Sequence, residues 1–296
     1  MNQRLEKMAG IQGVEGKLYT EEAEKPGYGY YFDMEEILHF EKSDFQEIVV
    51  FKSKSYGIAL ATDGVLQILQ EDEFTFNEMT VNLALNSHPN PRKVLIVGVG
   101  SGGNAIEVLK HSSVEKVVLC EIDKSMINLA RKYFPEKASV FEDPRVELII
   151  GDGAELVKDK EDEFDVIITD SSDCLGPSEG LYQVEYFKNL KRALRKDGII
   201  SSILGSLYNG LDFKKQMMAM TRQLFPTVDF AYTVMLAFGT IGFLLCSCNQ
   251  DTTFRQPLRT LNQNEVDAME LKYYNTDIHK SCFCLPQFLK KELQKP

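Results

Sequence analysis

Histidine is scarce in this chain, with four in 296 residues, and its six cysteines include no Cys-x-x-Cys pair. Zinc centres are built from closely spaced Cys and His, so the spacing excludes one and no metal is expected. Cys120, Cys174, Cys246, Cys248, Cys282 and Cys284 read as reduced, mostly buried thiols of a cytoplasmic protein. An excess of positive charge is also missing: 33 Lys and Arg stand against 44 Asp and Glu, a net charge of -11. Such a surface repels phosphate backbones and anionic headgroups, which removes nucleic acid and membrane as partners and favours cations. No apolar run approaches the ~18 residues of a membrane helix. Met1–Gly16 lacks the apolar core of a signal peptide.

What is present has a clear order. Residues 1–30 are polar and rich in glycine and read as a loose, loop-rich entry. Short β-branched segments follow, with Asp63-Gly64 between apolar runs as a hairpin turn, which predicts a small antiparallel β unit over 31–70. A helix over Glu71–Asn86 leads to the break Ser87-His88-Pro89-Asn90-Pro91, where the domain boundary is placed: residues 1–88, then 89–296. Beyond it strands and helices alternate. Strands are predicted at Lys93–Val97, Lys116–Cys120, Val146–Ile150, Phe164–Thr169 and Gly198–Ile203, with helices between them and apolar segments at Thr227–Leu236 and Ile241–Ser247. That pattern predicts an α/β fold with a Rossmann-like, doubly wound, mostly parallel sheet. Residues Glu265–Tyr274 have helical, amphipathic spacing.

Three constellations fall at predicted strand ends. Gly98-Val99-Gly100-Ser101-Gly102-Gly103 joins a strand to a helix and lets backbone approach a ligand closely. Glu121 closes the next strand, where a carboxylate accepts from ribose hydroxyls; loop and acid alone fit a dinucleotide as well. Asp152-Gly153 closes the third strand, as a turn or as an acceptor for an adenine amino group. Asp170-Ser171-Ser172-Asp173 closes the fourth. Two carboxylates on one tight loop are costly unless a cation sits there, and sulfonium and ammonium groups are such cations. The alternative is a helix cap.

These residues, with Phe45-Gln46, Tyr56-Gly57, Asp63 to Gln67, His88 to Ile96, Cys120 to Asp123, Asp165 to Asp173 and Leu271 to Asn275, closely resemble the spermidine synthases, or polyamine aminopropyltransferases. The resemblance runs from about His39 to Pro286. It implies a catalytic domain of the class I AdoMet-methyltransferase type beside a small N-terminal antiparallel β domain, usually in a homodimer or larger assembly. It implies that Gln46, Gly98, Gly100, Ser101, Gly102, Gly103, Glu121, Asp152 and Gly153 hold an adenosyl-sulfonium donor. Asp170 and Asp173 become the catalytic pair, deprotonating and orienting an amine. Tyr56, Gln67, Phe76, Asn77, Cys174, Ile203 and Phe238 fall at the acceptor pocket.

Several positions depart from the family pattern. Its loop reads Gly-Gly-Gly-Asp-Gly-Gly, and Ser101 replaces the acid. Two charges about 4 Å apart interact by roughly 4 kcal/mol at an effective dielectric near 20, so this loss weakens binding of the donor's aminopropyl ammonium and removes a repulsion against the carboxylate of intact AdoMet. Ile203-Leu204-Gly205 stands where the family has Gln-Gly-Glu, Phe76-Asn77 where it has Tyr-Gln, and Cys174 where it has Pro; Ala237-Phe238-Gly239 shortens a loop, and the chain has no tryptophan for the family's N-terminal Trp box. A pocket losing polar partners in concert rejects a dication. The expectation is therefore AdoMet-dependent N-methyl or other alkyl transfer to an amine less polar than putrescine. The alternatives are aminopropyl transfer from decarboxylated AdoMet and a catalytically silent nucleoside-binding or regulatory paralogue.

Overall fold

The computed structural model describes residues 11–12, 14–15, 18–22, 29–171, 176–237 and 239–293. They form two compact units, 1–73 and 74–296. The division precedes the Ser87–Pro91 break, so the first helix falls with the second unit.

The first unit is a six-stranded sheet in chain order: β1 (Val14–Glu15), β2 (Leu18–Glu22), β3 (Gly29–Lys42), β4 (Glu47–Ser53), β5 (Ile58–Thr62) and β6 (Val65–Leu69). Every pairing is antiparallel. Asp63 and Gly64, with φ of 50° and 75°, close the β5–β6 hairpin in the backbone conformation that an Asp-Gly pair tolerates. The loose entry expected over 1–30 is corrected, because β1 and β2 lie within it. Tyr19 explains the pairing: fully buried, it stacks on Phe51 at 4.9 Å and donates its hydroxyl hydrogen to the Gly64 carbonyl at 2.7 Å.

The second unit begins with α1 (Glu73–Leu85), β7 (Lys93–Val97), α2 (Gly103–Leu109), β8 (Lys116–Glu121), α3 (Lys124–Tyr133), α4 (Pro135–Ala138), β9 (Val146–Ile150), α5 (Gly153–Val157) and β10 (Phe164–Thr169). It continues through α6 (Val184–Ala193), β11 (Leu194–Ile203), α7 (Leu211–Leu224), β12 (Thr227–Met235), β13 (Gly239–Ser247), α8 (Gln263–Ala268), α9 (Thr276–Ser281) and α10 (Gln287–Leu293). The sheet order is β12-β13-β11-β10-β7-β8-β9. Pairing is parallel from β11 to β9, whereas β13 runs antiparallel to both its neighbours, so the sheet is mixed. Both faces are covered. Val94 and Ile96 of β7 enter one apolar core, and Leu95 and Val97 enter the other. That two-residue alternation, apolar on both sides, is why the central strands read as continuous hydrophobic runs.

The single helix expected over Glu265–Tyr274 is also corrected. α8 stops at Ala268, Glu270 turns to a φ of 51°, and the backbone N–H groups of Lys272, Tyr273 and Tyr274 donate to the carboxylate of Glu78 at 2.8–2.9 Å. Glu78, buried on α1, takes the donors that a continuing helix would have used. No helix among the described residues is long and apolar enough to cross a membrane. Of the cysteines described, Cys120, Cys246 and Cys282 are buried thiols and Cys284 is exposed.

A polar chain ties α1 to this C-terminal segment. His279 Nε2 donates to the Phe254 carbonyl at 2.8 Å, so its Nδ1 accepts from the Tyr274 hydroxyl at 2.7 Å, and Tyr274 accepts from the Asn86 amide at 2.9 Å. His111 lies against Asn82 at 3.0 Å. Burial holds both imidazoles below their ordinary value, His111 at about 3 and His279 at about 4. Unfolded histidine takes up its proton near pH 6.5, so the neutral pair stabilises the fold fully above that pH and progressively less below it. Each contributes a slope of about 1.4 kcal/mol per pH unit between roughly 6.5 and 4. The thermal midpoint should therefore fall by several degrees from about pH 7 to about pH 5. An unchanged midpoint would show both rings protonated inside the fold.

Candidate active site

Strand order creates the site. β7 is the first strand of the alternating unit; β8 and β9 extend from one side of it, β10 and β11 from the other. A parallel sheet whose order reverses in this way opens a crevice at the carboxyl ends of the strands beside the reversal. Here that point is the pair β7/β10, ending at Gly98 and Asp170.

The two ends touch. The Asp170 N–H donates to the Val97 carbonyl at 2.8 Å, and a Cβ at Gly98, whose φ is 86°, would stand 1.6 Å from the Asp170 carbonyl oxygen. Only glycine fits, because both the space and the backbone angle exclude a side chain. At the other end of the loop, a Cβ on Gly103 would lie 2.1 Å from the Asn77 amide nitrogen, which places Asn77 of α1 against the first turn of α2. Gly100 and Gly102 complete the turn with positive φ. Ser101 is buried, and its hydroxyl oxygen accepts the Gly103 N–H at 3.3 Å, so it is engaged within the loop.

Glu121, at the end of β8, braces this loop. One carboxylate oxygen accepts the Val99 N–H at 3.0 Å and the other the Asp123 N–H at 3.0 Å. Burial pushes the group above the ordinary carboxylate range, against the N–H donors of Asp123, Val99 and Gly100, which favour its charge. Gly151 continues the line through its N–H to the Glu121 carbonyl at 2.8 Å. Asp152, exposed, caps α5 by accepting the Ala154 N–H at 2.7 Å, and Gly153 is the first residue of that helix. Asp152 thus serves as a helix cap in the fold and stands at the tip of β9. The tips of β10, β7, β8 and β9 thus carry Asp170, the glycine loop, Glu121 and Asp152 in spatial order.

The flank is apolar on the β11 side. Thr169 pairs with Ser202, which sets Ile203 one residue further toward the tips. Ile203 stands opposite Phe243 in the β11–β13 ladder, and Phe243 packs against the ring of Phe76 at 6.4 Å. Asp173, Cys174 and Phe238 lie outside the described residues. Gln46, Tyr56 and Gln67 belong to the first unit. There Gln46 closes a turn with Ser43, Tyr56 meets Phe32 edge-on at 6.1 Å, and Gln67 donates its amide hydrogen to the Val65 carbonyl at 3.3 Å.

Two features escape sequence reasoning. Asn104, in the first turn of α2, donates from Nδ2 to Asp170 Oδ2 at 2.6 Å. Its signal was a lone polar residue just after the glycines, ahead of an otherwise mostly apolar turn. The hydroxyls of Ser171 and Tyr182 are 3.0 Å apart, so the 3-10 segment Gly176–Tyr182 returns to the strand tip. Cys120 is no nucleophile: burial first, then Glu121 and Asp152, push its thiol up to about 12. Among the described residues no cluster of His, Cys, Asp and Glu could hold a metal ion. The concavity lined by His88, Asn90, Arg92, Asp165 and Arg195 lies at the amino ends of β7, β10 and β11, away from these tips. Asp165 acts there as a clamp, accepting the Arg92 and Lys93 N–H groups and both contacts from Arg195.

The family model of the spermine/spermidine synthase domain matches residues 73–256, and that of the spermidine synthase tetramerisation domain matches residues 17–70. The spermidine synthase of Dictyostelium discoideum is 44% identical over 270 residues, covering 90% of this chain and 94% of that protein. That of Schizosaccharomyces pombe is 40% identical over 272 residues, covering 91% of each. A crystal structure of a spermidine synthase with the transition state analogue AdoDATO superposes with a TM-score of 0.87 at 35% identity, over 96% of this chain and 97% of that one. The Thermotoga maritima spermidine synthase gives 0.86 at 34% identity, over 98% of both chains.

Proposed function

The chain belongs to the spermidine and spermine synthase family, and from that membership we propose that it is an aminopropyltransferase using decarboxylated AdoMet as donor and a diamine of the putrescine class as acceptor. The observation that carries the reading is the set of acids at adjacent strand tips, with Asp170 pressed against the glycine loop. Glu121 and Asp152 serve the nucleoside. Asp170, with Asp173, serves the amine. A neutral amine nitrogen attacks the carbon next to sulfur; the N–C bond forms, the C–S bond breaks, its electron pair stays on sulfur, and methylthioadenosine leaves. The proton shed by the amine passes to Asp170. Holding nitrogen, carbon and sulfur in line supplies much of the acceleration, and the carboxylate supplies the base.

Aminopropyl transfer thus replaces methyl transfer as the first reading, because the relatives that match over nine-tenths of the chain are named spermidine synthases. Methyl transfer from AdoMet stays as the second, favoured by Ser101 in place of the loop acid and by the apolar Ile203–Phe243–Phe76 flank. The tetramerisation-domain match supports self-association through residues 17–70, and the homodimer expectation widens to a homo-oligomer.

Product analysis by mass spectrometry, with both donors supplied at equal concentration and putrescine as acceptor, tests the reading. Aminopropylated diamine should dominate, and Ser101→Asp should raise the ratio of aminopropylated to methylated product by about tenfold, as the new carboxylate favours the donor's ammonium. Methylated amine as the main product would reverse the two readings.

A further inference from the structure

Asn104 has one satisfied end and one unsatisfied end. It is 2% exposed. Its Nδ2 donates to Asp170 Oδ2 at 2.6 Å, which fixes the orientation of the amide, since a flip would set oxygen against a carboxylate oxygen. Its Oδ1 has no hydrogen-bond partner among the described residues. A buried carbonyl oxygen without a donor is rare and costs on the order of 1–3 kcal/mol, so it calls for an explanation. An incoming donor would satisfy it, and such a donor would stand beside Asp170, because Oδ1 and Nδ2 share one carbon.

We propose that Asn104 is a specificity-determining residue of this site, its Nδ2 holding Asp170 in place and its Oδ1 accepting an N–H of the incoming primary amine. This rests on the reading of Asp170 as the group that takes the amine's proton. A primary amine fits both halves of the pair. Neutral, it carries two hydrogens: one points to the carboxylate and leaves as the proton, and the other is held by Asn104, which fixes how the nitrogen lone pair faces the donor carbon. A tertiary amine has no hydrogen for Oδ1, and a thiol or alcohol has only the one it loses. The loop itself supplies no second carboxylate, since serine stands at 101, so the carboxamide is the polar group that this turn adds beside Asp170.

Two variants separate the two ends of the side chain. Asn104→Leu removes both, and the KM for putrescine should rise about tenfold or more while the KM for the nucleoside donor stays within about twofold. Asn104→Asp keeps an acceptor but replaces the N–H donor with a second carboxylate beside Asp170. Two such groups resist ionising together, so the acidic limb of the kcat/KM profile should move up by about one pH unit or more with the putrescine KM largely kept. If Asn104→Leu leaves the putrescine KM unchanged and Asn104→Asp leaves the pH profile unchanged, the residue only packs and the proposal falls. A readout without turnover keeps this distinct from the proposed reaction. The side-chain 15N–1H2 pair of Asn104, identified by its loss in Asn104→Leu, should shift when 1,4-diaminobutane is titrated into wild-type protein holding methylthioadenosine. A shift here, together with no aminopropylated product when decarboxylated AdoMet is supplied instead, would refute aminopropyl transfer and keep the amine site, and no shift would refute the Asn104 contact whatever the reaction.

Discussion

Asp170→Asn should lower kcat by about a hundredfold to ten-thousandfold, with nucleoside affinity within a few-fold of wild type. The substitution keeps the shape of the side chain and leaves the backbone contacts in place: the N–H to Val97 and the carbonyl packed against Gly98 belong to the main chain. What changes is chemical. An amide cannot accept the amine's proton, and the attack must then proceed from a nitrogen that keeps its charge as it forms. An amide at 170 can still accept the Asn104 Nδ2 hydrogen through its one oxygen, which leaves its NH2 where the other carboxylate oxygen stood. A loss of this size corresponds to about 2.7–5.4 kcal/mol of transition-state stabilisation. Single-turnover rates beside nucleoside titration check it. A variant with nearly wild-type rates would move the base elsewhere, and one that no longer binds nucleoside would make Asp170 a donor contact.

How much of this was legible depended on where each signal lay. The strands Lys93–Val97, Val146–Ile150 and Phe164–Thr169 have the bounds that the sequence predicts. The outer two segments read as apolar runs between turn residues, and β12 and β13 depart by only a residue or two. Their place in the sheet was less visible, because the direction of a strand is set by its connection. The short β12–β13 hairpin turns one strand against an otherwise parallel ladder. β1 and β2 stayed hidden among polar and glycine residues, since a two-residue strand and a five-residue strand carry too little alternation to register. The C-terminal helix was overread for the opposite reason: the spacing was helical, but the carboxylate of Glu78, almost two hundred residues earlier in the chain, captures the backbone N–H groups. Tertiary competition of this kind leaves no local mark.

The site shows the same division. Gly98, Glu121 and Asp170 could be singled out as candidates because a strand end followed by glycine or acid has few uses in a parallel sheet. Fold topology then made them neighbours, through contacts no spacing rule supplies, such as the Val99 N–H reaching Glu121. Asn104 was passed over because its partner lies 66 residues away.

Glu121 carries the claim on which the rest depends, that these strand tips hold a nucleoside. Its two oxygens each accept a backbone N–H at 3.0 Å, one from the glycine loop and one from the start of α3, and it is 8% exposed. In Glu121→Gln one of those oxygens becomes an NH2 facing another N–H, leaving a buried donor unsatisfied at a cost of about 1–3 kcal/mol and loosening the loop. The variant also loses an acceptor for the ribose hydroxyls, so nucleoside affinity should fall about ten- to several-hundredfold. Calorimetric titration of methylthioadenosine into both proteins is the direct measurement. Saturable binding to the wild type, weakened at least about tenfold in Glu121→Gln while the variant stays folded, is the expected result; equal affinity in the two proteins, or no binding to the wild type, would contradict the assignment of these tips to a nucleoside donor.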